Sequence, residues 1–136
     1  MRSLLGFGLV ALVAAALVTG VGSAKEPEKK KSWRLGQVRH VVLFKFKAGT
    51  SAEEIKKIED AFRALPKEIP QIAGFEWGTN VSPEKLDQGF THCFLLSFKT
   101  PADRDAYLHH PAHQEFGKTL RPHLDKVLVV DYVVKD

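Results

Sequence analysis

Residues 38–46 read VRHVVLFKF, and no other stretch limits the fold of this chain as tightly. A strand sends alternate side chains to opposite faces. Val38, His40, Val42, Phe44 and Phe46 therefore share one face, while Val41 and Leu43 lie on the other between Arg39 and Lys45. Apolar groups on both faces predict a strand covered on both sides. Residues 90–98, FTHCFLLSF, repeat the design, with Phe90, His92, Phe94, Leu96 and Phe98 on one face and Cys93 and Leu95 on the other. Residues 126–134, KVLVVDYVV, predict a last strand that is apolar on both faces except at Asp131.

Helical signals fill the intervals. Ser51-Ala-Glu-Glu54 is a capping box, followed by Ile55, Ile58, Phe62 and Leu65 at helical spacing, with Pro66 and Pro70 expected to end the helix. A second strand is expected from Gly74 to Val81. Thr100-Pro-Ala-Asp103 carries a cap, a first-turn proline and an acidic residue, and so starts a second helix. Pro111 interrupts it, and a further helix through His113, Phe116 and Leu120 stops near Pro122. The order strand, helix, strand, strand, helix, strand predicts an α+β fold, the ferredoxin-like split βαβ with a four-stranded antiparallel sheet. Helices cover one face of such a sheet, yet these strands are apolar on both. A second subunit over the open face is the economical solution.

The first 24 residues stand apart. Arg2, an apolar run from Leu4 to Val21 and the small residues Gly22-Ser23-Ala24 describe a signal peptide cleaved after Ala24. The run is also long enough for an uncleaved anchor, the alternative reading. Export to the periplasm or the medium follows from the first. Residues 25–36 form a charged linker, and residues 37–136 a single domain. Residues 25–34 hold five basic and two acidic residues, whereas residues 35–136 hold 14 of each. The positive charge thus belongs to the tail, which excludes a nucleic-acid-binding face on the domain and leaves the tail solvated or touching an anionic membrane. Cys93 is the only cysteine, so no intramolecular disulfide forms, and its strand position predicts an inert buried thiol.

The segment Tyr107-Leu-His-His-Pro-Ala-His113 concentrates chemistry. Histidine exchanges protons near neutral pH, and a tyrosine hydroxyl can hold an oxyanion. Pro111 makes His110 a cap residue and puts His113 in the first helical turn, where the helix dipole disfavours imidazolium. His40 and His92 lie on strand faces otherwise filled by Val42, Phe44, Phe94 and Leu96. If those faces meet the helices, both imidazoles approach a shared apolar pocket from the sheet while Tyr107 and His113 approach from the helices.

This combination resembles the stress-responsive α/β-barrel (Dabb) family, whose members pair two ferredoxin-like sheets into a dimeric barrel. The resemblance rests on VRHVVLFKFK, IPQIAGFEWG, GFTHCFLLSF, YLHHPAHQEF and VLVVDY, in that order from Val38 to Tyr132. One plant branch comprises metal-free polyketide cyclases, which the resemblance would extend to Tyr107 and His113 as reactive pair and to His40 and His92 as pocket residues. Phe62 stands where that branch carries a tyrosine.

Three functions follow as expectations. The first is a homodimer that binds a small apolar or aromatic molecule in a pocket of His40, His92, Phe62 and Phe94. The second is a cofactor-free lyase or cyclase in which His113 removes a proton alpha to a ketone and Tyr107 holds the enolate oxygen. The third is a structural, stress-protective dimer. No cofactor is expected, and no metal, because the run His109, His110, His113 contains no carboxylate.

Overall fold

A computed structural model describes residues 34–136. The apolar leader over 1–24 and the linker up to Trp33 lie outside the described residues. Among the described residues no helix is long and apolar enough to cross a membrane.

Strand β1 (Val38–Phe46) is followed by helix α1 (Ala52–Glu68), strands β2 (Gly74–Thr79) and β3 (His92–Phe98), helices α2 (Pro101–His109) and α3 (Pro111–Leu120), a 3-10 turn (Arg121–His123) and strand β4 (Leu124–Val133). The sheet order is β2-β3-β1-β4, and every neighbouring pair is antiparallel. This is the expected split βαβ, with β1 and β3 at the centre.

Both caps form as the sequence predicts. Ser51 accepts from the Glu54 N–H at 3.2 Å while Glu54 accepts from the Ser51 N–H at 3.0 Å, and Thr100 and Asp103 repeat the exchange at 3.1 Å in each direction. Pro66 does not end α1. It sits inside the last turn, where it removes one backbone donor, and the turn still closes through Ile69 N–H to Leu65 O at 2.9 Å. The strands also shift at their ends: β2 stops at Thr79, β3 starts at His92, and β4 starts at Leu124.

The core lies between the sheet and the helices. β1 contributes Val38, Val42 and Phe44, and β3 contributes Phe94, Leu96 and Phe98. Ile58, Phe62 and Leu65 of α1, Tyr107 of α2, and Phe116 and Leu120 of α3 close over them. Helix α3 packs beside both α1 and α2. Among the described residues no helix covers the opposite face of the sheet. The register aligns Val41 with Leu95 and Val130, and Leu43 with Cys93 and Leu128, in rows across that open face. Cys93 is accordingly exposed and not buried as expected, because it points to the face that no element among the described residues covers. Its thiol is pushed up by partial burial and then by the Glu76 charge, which keeps it protonated.

Candidate functional site

His110 is the pivot of the site. Its backbone N–H donates to Tyr107 O at 3.1 Å to end α2, and its Nδ1 accepts from the Ala112 N–H at 3.2 Å to start α3. A proline at the first position of α3 forces this break, since Pro111 cannot continue the ladder of α2. The chain therefore bends between Tyr107 and His113 and brings the two rings together, with centroids 4.3 Å apart.

Environment sets the protonation of the pair. Tyr107 is almost fully buried, and burial, then the nearby Asp131 charge, hold its hydroxyl well above the ordinary phenol range. It remains a donor at any working pH. None of the hydrogen bonds among the described residues engages that hydroxyl. His113 is half-buried, and its pKa is lowered chiefly by desolvation, with a smaller contribution from His40. The direction agrees with the sequence expectation, but burial and not the helix dipole is its main cause. His113 Nδ1 lies 3.2 Å from Leu108 O and donates to it, which leaves Nε2 as the lone-pair nitrogen of the neutral ring.

Behind the pair runs a chain of charge-assisted contacts. His40 on β1 packs edge-on against Tyr107 at 5.6 Å, and its Nδ1 donates to Asp131 Oδ1 at 2.6 Å. The second oxygen of Asp131 accepts from Arg104 of α2, whose Nε donates to Asp105 at 2.8 Å. Asp131 thus ties the edge strand to the central strand and to the helix that carries Tyr107. Its sequence signal was its being the one polar residue of an otherwise apolar strand face. Arg104, three residues before Tyr107, gave no such signal.

His92 belongs elsewhere. In the register it opposes Phe44, whereas His40 opposes Leu96. The two imidazoles are four residues apart along β1, about 13 Å at the rise of a strand. His92 has its own partners: Glu59 of α1 accepts from Nε2 at 3.0 Å, the Thr91 hydroxyl meets Nδ1 at 2.8 Å, and Trp77 stacks on the ring. Both nitrogens are satisfied. The space expected to form a shared pocket is filled by phenyl rings, with Phe62 stacked on Phe94 at 4.3 Å and tilted against Phe116 at 4.7 Å. Phe62 and Phe94 are core residues here. A surface groove of about 330 Å³ lined by Leu108, His113, Gln114, Gly117, Lys118 and Arg121 reaches His113. Tyr107, buried and in ring contact with His113, does not line it.

The histidines of the Tyr107–His113 segment are each held locally through one nitrogen. His109 Nδ1 donates to Asp105 O at 2.8 Å, so His109, His110 and His113 each commit one nitrogen to the backbone. Among the described residues no three His, Cys, Asp or Glu side chains gather as a metal-binding group.

Residues 38–134 match the family model of the Stress Responsive A/B Barrel Domain. The chain is 42% identical over 97 residues to the stress-response A/B barrel domain-containing protein HS1 of Arabidopsis thaliana, covering 71% of this chain and 89% of that protein. It is 28% identical over 95 residues to olivetolic acid cyclase of Cannabis sativa, covering 70% and 94%. Among solved structures it resembles the hydroxynitrile lyase from Passiflora edulis (29% identity, TM-score 0.70, covering 74% of this chain and 94% of the lyase). A dimeric protein of ferredoxin-like fold from Bacteroides fragilis is also 29% identical, with TM-score 0.62 and coverage of 75% and 100%.

Proposed function

Because the chain belongs to the stress-responsive A/B barrel domain family, we propose that it works as a homodimer that binds a small apolar or aromatic molecule beside His113. The observation that carries the reading is the contact between His113 and Tyr107, in which one ring offers a free lone pair and the other a hydroxyl with no partner. Both groups have hydrogen-bonding capacity to spare, and a ligand hydroxyl that donates to Nε2 and accepts from Tyr107 would use both. Dimerisation is supported by the apolar open face and by the dimeric relative of similar fold. The leader over residues 1–24 supports export of the mature domain.

A second reading, catalysis on a carbonyl compound, is favoured by the opposed protonation states of the pair. His113 Nε2 takes the proton alpha to a ketone, and the electron pair moves to the carbonyl oxygen, where the Tyr107 hydroxyl donates to the enolate. The enolate carbon then attacks a second carbonyl of the same molecule, and the new alkoxide recovers the proton from the His113 imidazolium. No cofactor enters this balance. The cyclase and lyase relatives support this second reading. A ligand reaching both groups enters over His113 and displaces packing around its half-buried ring.

Native mass spectrometry of the exported protein tests the first reading: a dimer beginning near Lys25 with a retained organic mass is expected, and a monomer refutes it. His113→Ala and Tyr107→Phe separate the two readings. If the protein is a catalyst, Tyr107→Phe lowers turnover of a ketone substrate by roughly 100-fold with the fold intact. If it only binds, affinity falls and no turnover is seen with either chain.

A further inference from the structure

We propose that the two copies of this chain recognise each other through reciprocal ion pairs, Arg39 of one copy with Glu76 of the other, made twice across the interface. The inference rests on the dimeric reading above and specifies which surface is used and what fixes its register.

The observations concern the open face. Register places Gly74, Ser97, Arg39 and Tyr132 in one row across the sheet, and Glu76, Leu95, Val41 and Val130 in the next. Beyond them come Gly78, Cys93, Leu43 and Leu128, then Lys45 with Lys126 at the rim. Lys45 has a carboxylate of its own, Asp125 at 3.3 Å. Arg39 does not. It is 7% exposed, and its Nη1 donates only to neutral oxygens, Gln37 Oε1 at 3.0 Å and Val38 O at 3.4 Å. Glu76 is exposed and takes part in none of the ion pairs among the described residues. Asp125, at the rim, is taken by Lys45, so Glu76 is the acid that the strands leave without a cation on this face among the described residues.

Arg39 and Glu76 line one hollow of about 370 Å³, left open by the absent side chains of Gly74 and the small one of Ser97. Within one copy they do not meet at ion-pair distance. Arg39 is already shielded from water within one copy, and when a second copy covers the apolar rows Glu76 loses its water too, so leaving either charge unpaired there is strongly unfavourable. A two-fold interface brings the same surface of each copy against the other, so an acid and a base on that surface can pair twice by one operation. The long, planar guanidinium still has Nε and Nη2 to offer, the fork that suits a carboxylate.

Charge reversal in the full chain tests this. Arg39→Glu alone and Glu76→Arg alone should each weaken the dimer by at least ~10-fold, because each homodimer then faces like charges. Mixed together, the two variants should recover a heterodimer near wild-type affinity, seen by native mass because the two chains differ in mass. A pair made within one copy predicts no recovery on mixing, since each chain would still carry its own repulsive pair. Homodimers of either variant as tight as wild type, or a mixture no tighter than its parts, would overturn the proposal while leaving the dimer standing. A monomeric wild-type chain at micromolar concentration would remove both. Should a reversed charge unfold the chain, Arg39→Gln and Glu76→Gln serve in a double-mutant cycle on the dimer constant, where strictly additive effects overturn the pair.

Discussion

The two nitrogens of His113 have different fates, and that division gives the residue its pH behaviour. Nδ1 is held by Leu108 O and Nε2 is free, while burial and the neighbouring His40 disfavour the imidazolium. The folded pKa lies below the ordinary 6.5. In the unfolded chain the ring takes up a proton as pH falls through that ordinary value, whereas the folded ring resists until lower pH. The unfolded state therefore binds more protons in the window between the two, and stability falls as pH falls through it. Denaturant titrations from about pH 8 to pH 5 should show wild type losing stability relative to His113→Gln as pH decreases. A difference that stays constant or grows toward low pH would contradict the assignment. Part of this site was legible in the sequence. Pro111 after a helical run announced the bend that joins Tyr107 to His113, because proline has a local and unconditional effect on the backbone. The grouping of His92 with that pair was wrong. Alternation reports the face of a strand but not the position along it, and it could not reveal Glu59, brought to His92 from α1 across 33 residues.

Helix α1 carries both Glu59 and Phe62, so its placement governs one end of the core. Its start is fixed by a reciprocal exchange between Ser51 and Glu54, and its apolar face by Ile58, Phe62 and Leu65. Removing the Ser51 hydroxyl leaves the Glu54 N–H without its acceptor, a loss of about 1 kcal/mol. Ser51→Ala should lower the melting temperature by roughly 4–8 °C at a fixed protein concentration, with far-UV circular dichroism preserved. An unchanged transition would mean that solvent replaces the cap at no cost. The capping boxes were readable because a cap is a contact within four residues. The end of α1 was misread for the complementary reason. Proline forbids one hydrogen bond, but in a last turn only one is at stake, and the burial of Leu65 and Ile69 outweighs it. The expected cavity failed similarly: sequence identified which aromatic rings face inward, but not that Phe62, Phe94 and Phe116 pack closely enough to fill the space.

Strand β4 shows why one copy of the domain is incomplete. Val127, Val129 and Val133 share the face of Asp131, on the helix side, while Leu128, Val130 and Tyr132 lie on the open face. All six are between 41% and 52% exposed, so the edge strand leaves both of its faces to water. A charged or twisted edge would discourage pairing, and over this run β4 is long and carries a single charge, Asp131, which is held by His40 and Arg104. Apolar surface of this extent on two sides of one strand is unfavourable in a monomer and marks an association site. If association supplies part of the fold's stability, unfolding becomes coupled to dissociation and depends on concentration. Each tenfold increase in protein should then raise the melting temperature by about 2–4 °C. Val130→Lys, which puts a charge in the middle of the open face, should abolish this dependence and give a monomeric mass, whereas Lys118→Ala, on exposed α3, should not. A melting temperature that stays flat over a roughly hundredfold dilution of wild type would show that β4 is tolerated bare, and that the dimer contributes nothing to holding the edge strand, and with it Asp131, against His40.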